Sequence, residues 1–144
     1  MIVKNEHIGS YGIIIENEEI ILIKKACGGY KGKLDLPGGG IEHDETLVAA
    51  LKREVMEEAG LKVLEYHLFD VTSINITWQM DKDMLEDLHH IGILYTVKAE
   101  GNLKIDPDGI DSLWAKKYKI SELKKDDLTP FTIYALEKLG YKLK

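Results

Sequence analysis

The chain has 144 residues, 44% hydrophobic and 31% charged, a mixture that suits one soluble globular domain with a sizeable core. Its net charge of −6 argues against a broad electrostatic grip on nucleic acid or an anionic membrane and leaves a nucleotide open, since a few groups and a metal ion can hold one. Cys27 is the only cysteine, so no internal disulfide is expected; with no signal-like apolar run near the start, the expected compartment is the reducing cytoplasm.

Residues 9–15 and 19–23 are β-branched runs flanking Glu16-Asn17-Glu18, which predicts a hairpin. Residues 26–33 form a Gly/Lys loop. Leu34-Asp35-Leu36 is a short extended piece ended by Pro37 and three glycines. From Thr46 to Ala59 there is no Gly or Pro and most residues favour helix, with Asp44 as the expected N-cap and Gly60 as the stop. Residues 61–76 read as extended structure with breaks, and residues 75–90 as a long connection. Residues 91–99 should form a central strand and residues 113–118 another. Thr129-Pro130 opens a last helix, with Thr as N-cap and Pro at the first position, closed by Gly140. Strands, helix, strands, helix in that order predict an α/β fold with a mixed sheet, as one domain over residues 1–144. There is no room for an added DNA-binding domain.

The predicted helix carries an oddity at residues 53–60, REVMEEAG. Eighteen of the nineteen basic residues are Lys; the single Arg, Arg53, stands beside the tightest group of carboxylates. At about 100° per residue, Leu47, Leu51 and Val55 fall on one arc facing a core. Glu54 and Glu58 lie within about 20° of the direction of Leu47, so the carboxylates continue the apolar stripe. Like charges spaced i, i+4 repel, and partial burial makes that worse without a cation. A hard divalent ion resolves both problems; oxygen-only ligation points to Mg²⁺ or Mn²⁺. The glycines before the helix let main-chain carbonyls approach an ion or a phosphate. No Lys-Ser/Thr follows them, so they are not a P-loop.

Residues 39–61 read GGIEHDETLVAALKREVMEEAGL, which fits G-x5-E-x7-R-E-U-x-E-E-x-G-U with U apolar. Gly39, Glu45, Arg53, Glu54, Val55, Glu57, Glu58, Gly60 and Leu61 fill every defined position. This segment resembles the signature of the Nudix hydrolase family. The resemblance implies an α/β/α sandwich with a mixed β-sheet and a catalytic loop–helix–loop. It further implies hydrolysis of a diphosphate bond in a nucleoside diphosphate linked to another moiety. By position, Glu54, Glu57 and Glu58 would be metal ligands, with the carbonyl of Gly38 or Gly39 as a further one. Arg53 would orient the carboxylates, with Glu45 as its partner, a task that suits a planar guanidinium and not an ammonium. Either Glu57 or Glu54 would be the general base. Some family members take another acidic ligand from a later loop; here Asp108 is the first choice and Asp111 the second, before Trp114, against the plain reading of a surface turn.

Outside that segment, Lys31 and Lys33 could meet phosphates, and Tyr30 and Trp78 could stack on a base. The plain alternatives are solvated lysines and packed aromatics. His89-His90 suggests a structural hydrogen bond before catalysis. The acidic stretch from Asp81 to Asp87 lacks the Gly of a Ca²⁺ loop. Two other functions stand beside hydrolysis of a small nucleotide: a non-catalytic, nucleotide-binding regulator on the same fold, and removal of pyrophosphate from RNA 5′ ends. The family resemblance also admits a homodimer.

Overall fold

Two sheets share the chain in the computed structural model, which describes residues 1–104 and 112–144. In the first, β1 (Ile2–Ile13) lies between an antiparallel β5 (Gly38–Gly40) and a parallel β7 (Met84–Glu100); β6 (Lys62–Asp81) pairs antiparallel on the far side of β7. In the second, β3 (Glu19–Lys25) pairs with β2 (Ile15–Glu16), β4 (Leu34–Asp35) and β8 (Ser112–Lys119). The expected early hairpin is β2–β3. Its turn needs left-handed backbone, which Asn17 and Glu18 adopt at φ 54° and 63°.

Residues 75–90 are not a long connection. β6 runs unbroken to Asp81, the chain turns at Lys82-Asp83, and β7 begins at Met84, with Asn75 opposite His89 and Trp78 opposite Glu86. Ile74, Ile76 and Trp78 are half-buried while Ser73, Asn75 and Thr77 are exposed, a period-two pattern that the acidic composition obscures. The breaks anticipated within residues 61–76 are irregularities in register near Glu65 and Asp70.

Helix α1 (Leu47–Ala59) starts one residue later than expected, and its N-cap is two residues later. The hydroxyl of Thr46 accepts a hydrogen bond from the Ala49 N–H at 3.0 Å and is the N-cap; Asp44 sits outside the helix with φ 65°. Gly60 ends it at φ 73°. The stripe is also shifted. Leu47 is 41% exposed, and Ala50, Leu51, Val55 and Ala59 carry the buried face. Leu51, Val55 and Ala59 share one core cluster with Ile21 and Ile23 of β3 and with Ile93 and Val97 of β7, so α1 bridges both sheets.

A second helix, α2 (Pro130–Lys138), covers the opposite face through Phe131, Ala135 and Leu136, packed with Tyr11 and Leu94. Gly92 of β7 makes room for it, since a Cβ there would lie 2.6 Å from the Phe131 ring. Thr129 precedes the helix as expected, but its hydroxyl donates to Asp35 Oδ1 at 2.7 Å instead of capping. No helix among the described residues is long and apolar enough to cross a membrane.

Candidate active site

The three glycines end as β5, an edge strand laid on β1 with Gly39 beside Ser10 and Gly38 beside Tyr11. Gly38 takes φ 147°, and a Cβ there would collide with the Ser10 carbonyl oxygen at 2.2 Å. At Gly39 the crowding comes from the helix: a Cβ would stand 2.7 Å from Cδ of Glu54. The missing side chain therefore sets how closely a carboxylate of α1 meets the backbone of β5.

Arg53 gathers this region. Its Nε and Nη2 donate to the two oxygens of Glu45 at 2.7 and 2.9 Å. Nη2 also donates to the Gly40 carbonyl at 3.0 Å, while Nη1 donates to Glu54 at 2.9 Å and to Glu57 at 3.3 Å. One planar group thus ties the loop before the helix, the strand end and two helix carboxylates together. Glu58 lies apart from Arg53. It is buried, 4% exposed, and accepts the Gly38 N–H at 2.9 Å, which anchors β5 to the helix. The Glu54 side chain is 16% exposed and that of Glu57 58% exposed.

The hydrogen bonds from Arg53, with a further one from the Glu42 N–H, hold the Glu45 carboxyl down at about 2. Because the folded value lies below the ordinary 4.5, the clamp stabilises the fold fully above about pH 4.5 and loses that effect as pH falls towards 2. Acid unfolding of the wild type and Glu45→Gln should therefore differ above that window and converge at its lower end.

The donor set fits a hard divalent cation: three carboxylates on one helix end, a backbone strand against Glu54, and no thiolate or imidazole among them. No three His, Cys, Asp or Glu side chains are already drawn together for a metal among the described residues. Glu58 is engaged by Gly38 N–H, and Glu57 reaches for Arg53. Asp108 and Asp111 lie outside the described residues.

On the opposite face of the sheet, sequence reading missed a cluster. His7 sits under Gly40, where a Cβ would approach its Cε1 to 2.8 Å. Its ring lies 5.1 Å from that of His90. His90 is buried between two phenols, with Nε2 2.7 Å from the Tyr11 hydroxyl and Nδ1 3.0 Å from that of Tyr30. Burial, reinforced by His7 and Lys25, lowers it to about 3, so it is neutral and serves as the structural hydrogen bond anticipated for this pair. Lys25 thereby emerges as a cation beside this face. Tyr30 and Trp78 do come together, lining with Lys33, Ile76, Leu128 and Ile133 an open groove of about 450 Å³. Lys33 donates to the Asp126 carbonyl at 2.8 Å, and Lys31 is exposed away from that lining. Trp78 donates its indole N–H to Glu86 at 2.6 Å. Reading residues 75–90 as a hairpin would have placed that pair opposite one another.

A model of the NUDIX domain matches residues 6–139. A nucleoside triphosphatase, NudI, of Klebsiella pneumoniae is 30% identical over 136 residues, covering 88% of this chain and 92% of the relative. An ADP-ribose pyrophosphatase of Methanocaldococcus jannaschii is 46% identical over 50 residues, 35% of this chain and 30% of that protein. For several curated relatives the match is confined to such a stretch, and the chain spans 20% to 45% of their length. The crystal structure of a MutT NUDIX hydrolase from Burkholderia pseudomallei superposes with a TM-score of 0.73 at 23% identity, covering 94% of this chain and 99% of that one, a likeness of fold.

Proposed function

The chain belongs to the Nudix family, and we propose that it hydrolyses a diphosphate bond in a nucleoside diphosphate linked to another moiety, with Mg²⁺ or Mn²⁺ as cofactor. The observation that carries this reading is the Arg53 clamp. It fixes Glu45, Glu54, Glu57 and the Gly40 carbonyl around one guanidinium, at the place where Gly39 lets Glu54 approach the backbone.

Glu54, Glu57 and Glu58, with the carbonyl of Gly38 or Gly39, would hold the metal. A cation held there would supply charge against that of the diphosphate and a more acidic attacking water. Glu57 or Glu54 would accept the proton of the attacking water as its oxygen bonds to phosphorus and the bridging P–O bond breaks, its electron pair leaving on the released phosphate oxygen. Arg53 keeps the accepting carboxylate aimed, which spares the cost of ordering it during reaction.

Nucleoside triphosphates and ADP-ribose head the substrates to test, after the names of the relatives above. Mg²⁺-dependent release of phosphate, pyrophosphate or nucleoside monophosphate is expected from at least one nucleotide. The Glu54/Glu57/Glu58→Gln triple variant should lose it. Silence of the wild type across triphosphates, nucleotide sugars, ADP-ribose and dinucleoside polyphosphates would leave a binding protein in its place.

A further inference from the structure

Glu86, Trp78 and Asn5 come from three strands and meet on one face of the first sheet. Trp78 of β6 pairs directly with Glu86 of β7; Leu88 and His90 follow Glu86 at two-residue steps, and Asn5 and His7 alternate in the same way on β1. The face is the one on which His7 lies under Gly40. Gly9 pairs with Gly40, so Asn5 lies four residues along an extended strand, about 13 Å from the end of the catalytic loop. That is roughly the reach from a phosphorus to the outer edge of its own base when the nucleotide is extended.

The carboxylate of Glu86 is held from both sides. Asn5 Nδ2 donates to one oxygen and Trp78 Nε1 to the other, each at 2.6 Å. A carboxylate oxygen has two lone pairs, so each oxygen of Glu86 keeps room for one more donor. Gly29 of the 26–33 loop lies close to the indole, where a Cβ would stand 3.1 Å from the ring. This is a doubly accepting group about one nucleotide's length along the sheet from Gly40. A glutamate serving only to brace the hairpin would need neither that spacing nor that face.

We propose that Glu86 is a specificity-determining residue that reads an edge carrying two adjacent N–H donors, as guanine presents at N1 and N2. The proposal rests on the ligand being a nucleotide with its phosphates at the Gly38–Gly40 loop. Adenine sets the N1 acceptor beside its N6 donor, so one carboxylate oxygen would face a lone pair and discriminate against it. Uracil offers a single N–H between two acceptors and is disfavoured for the same reason.

Glu86→Gln tests this with little change of shape, since the Asn5 amide can turn to accept from the new amide. Binding of GMP and AMP is measured by calorimetry for wild type and variant, beside pyrophosphate or phosphate release from GTP and ATP and a thermal melt. The wild type should favour GMP by about 10- to 100-fold. The glutamine, presenting one acceptor and one donor, should erase that ratio and raise AMP binding. Equal binding of the two by the wild type, binding of neither, or a ratio unchanged in Glu86→Gln overturns the proposal. So does an equal loss for both bases, which marks a strut. A ratio that collapses in a protein that cleaves no diphosphate would support Glu86 and remove the hydrolytic reading instead.

Discussion

Glu57→Gln should lower turnover by about 10²- to 10⁴-fold, the range for removing a positioned proton acceptor, while shifting stability by no more than about 0.5 kcal/mol. The second half follows from exposure. The Glu57 side chain is 58% exposed and its bond to Arg53 is the longest that guanidinium makes, at 3.3 Å. An amide can keep that contact through its oxygen, but it cannot take a proton near neutral pH and binds a divalent cation poorly. Steady-state turnover at saturating Mg²⁺, with a thermal melt of the same sample, checks both halves. Full activity in the folded variant would pass the base role to Glu54 and leave Glu57 outside the metal shell.

The contrast with Glu58 makes this prediction specific to position. Glu58 is one residue further on, yet it is buried and accepts the Gly38 N–H. Replacing it with Ala would strand that donor in the interior at a cost of about 1–3 kcal/mol, so lost activity there would mix chemistry with folding. Three glutamates within five positions thus differ in burial because a helix rotates them past one sheet edge. That much was legible in the sequence. Counting 100° per residue placed Glu54 and Glu58 on the buried side and Glu57 off it. The anchor of the count was wrong, for Leu47 is exposed and Ala50 holds the core position, but the sense of rotation survived.

What stayed hidden was non-local. Asp81, Lys82, Asp83, Glu86 and Asp87 look like a polar connection when read along the chain. They are the tip and one edge of a long hairpin, stabilised by pairing partners on the other strand that no local pattern displays. The Asp44 assignment failed for a smaller reason. Both Asp44 and Thr46 are good caps; what selects Thr46 is that Glu45 must reach back to Arg53 and to the Glu42 N–H, contacts fixed only once the loop is folded. His90 likewise meets residues 60 and 83 positions away, Tyr30 through a hydrogen bond from the 26–33 loop and His7 through the parallel pairing of β1 with β7.

Arg53→Lys should be the most damaging conservative change in the chain, lowering kcat by about 10²-fold or more and stability by about 2 kcal/mol. Arg53 makes five hydrogen bonds to Glu45, Glu54, Glu57 and Gly40 from three nitrogens spread in one plane. A lysine carries at most three donors on a single atom and cannot span the two oxygens of Glu45 while also reaching the Gly40 carbonyl. Positive charge is conserved in the variant, so any loss reports geometry and not neutralisation. If Arg53 acts by holding carboxylates in place, kcat should fall while the KM for the nucleotide changes little, and the Mg²⁺ concentration for half-maximal rate should rise. An Arg53→Ala variant should regain part of its rate when guanidinium is added at millimolar levels, whereas methylammonium should restore much less. Retention of wild-type kcat and metal dependence in Arg53→Lys would reduce the clamp to a fold-stabilising contact, and the lone arginine of the chain would then owe its place to the loop it pins.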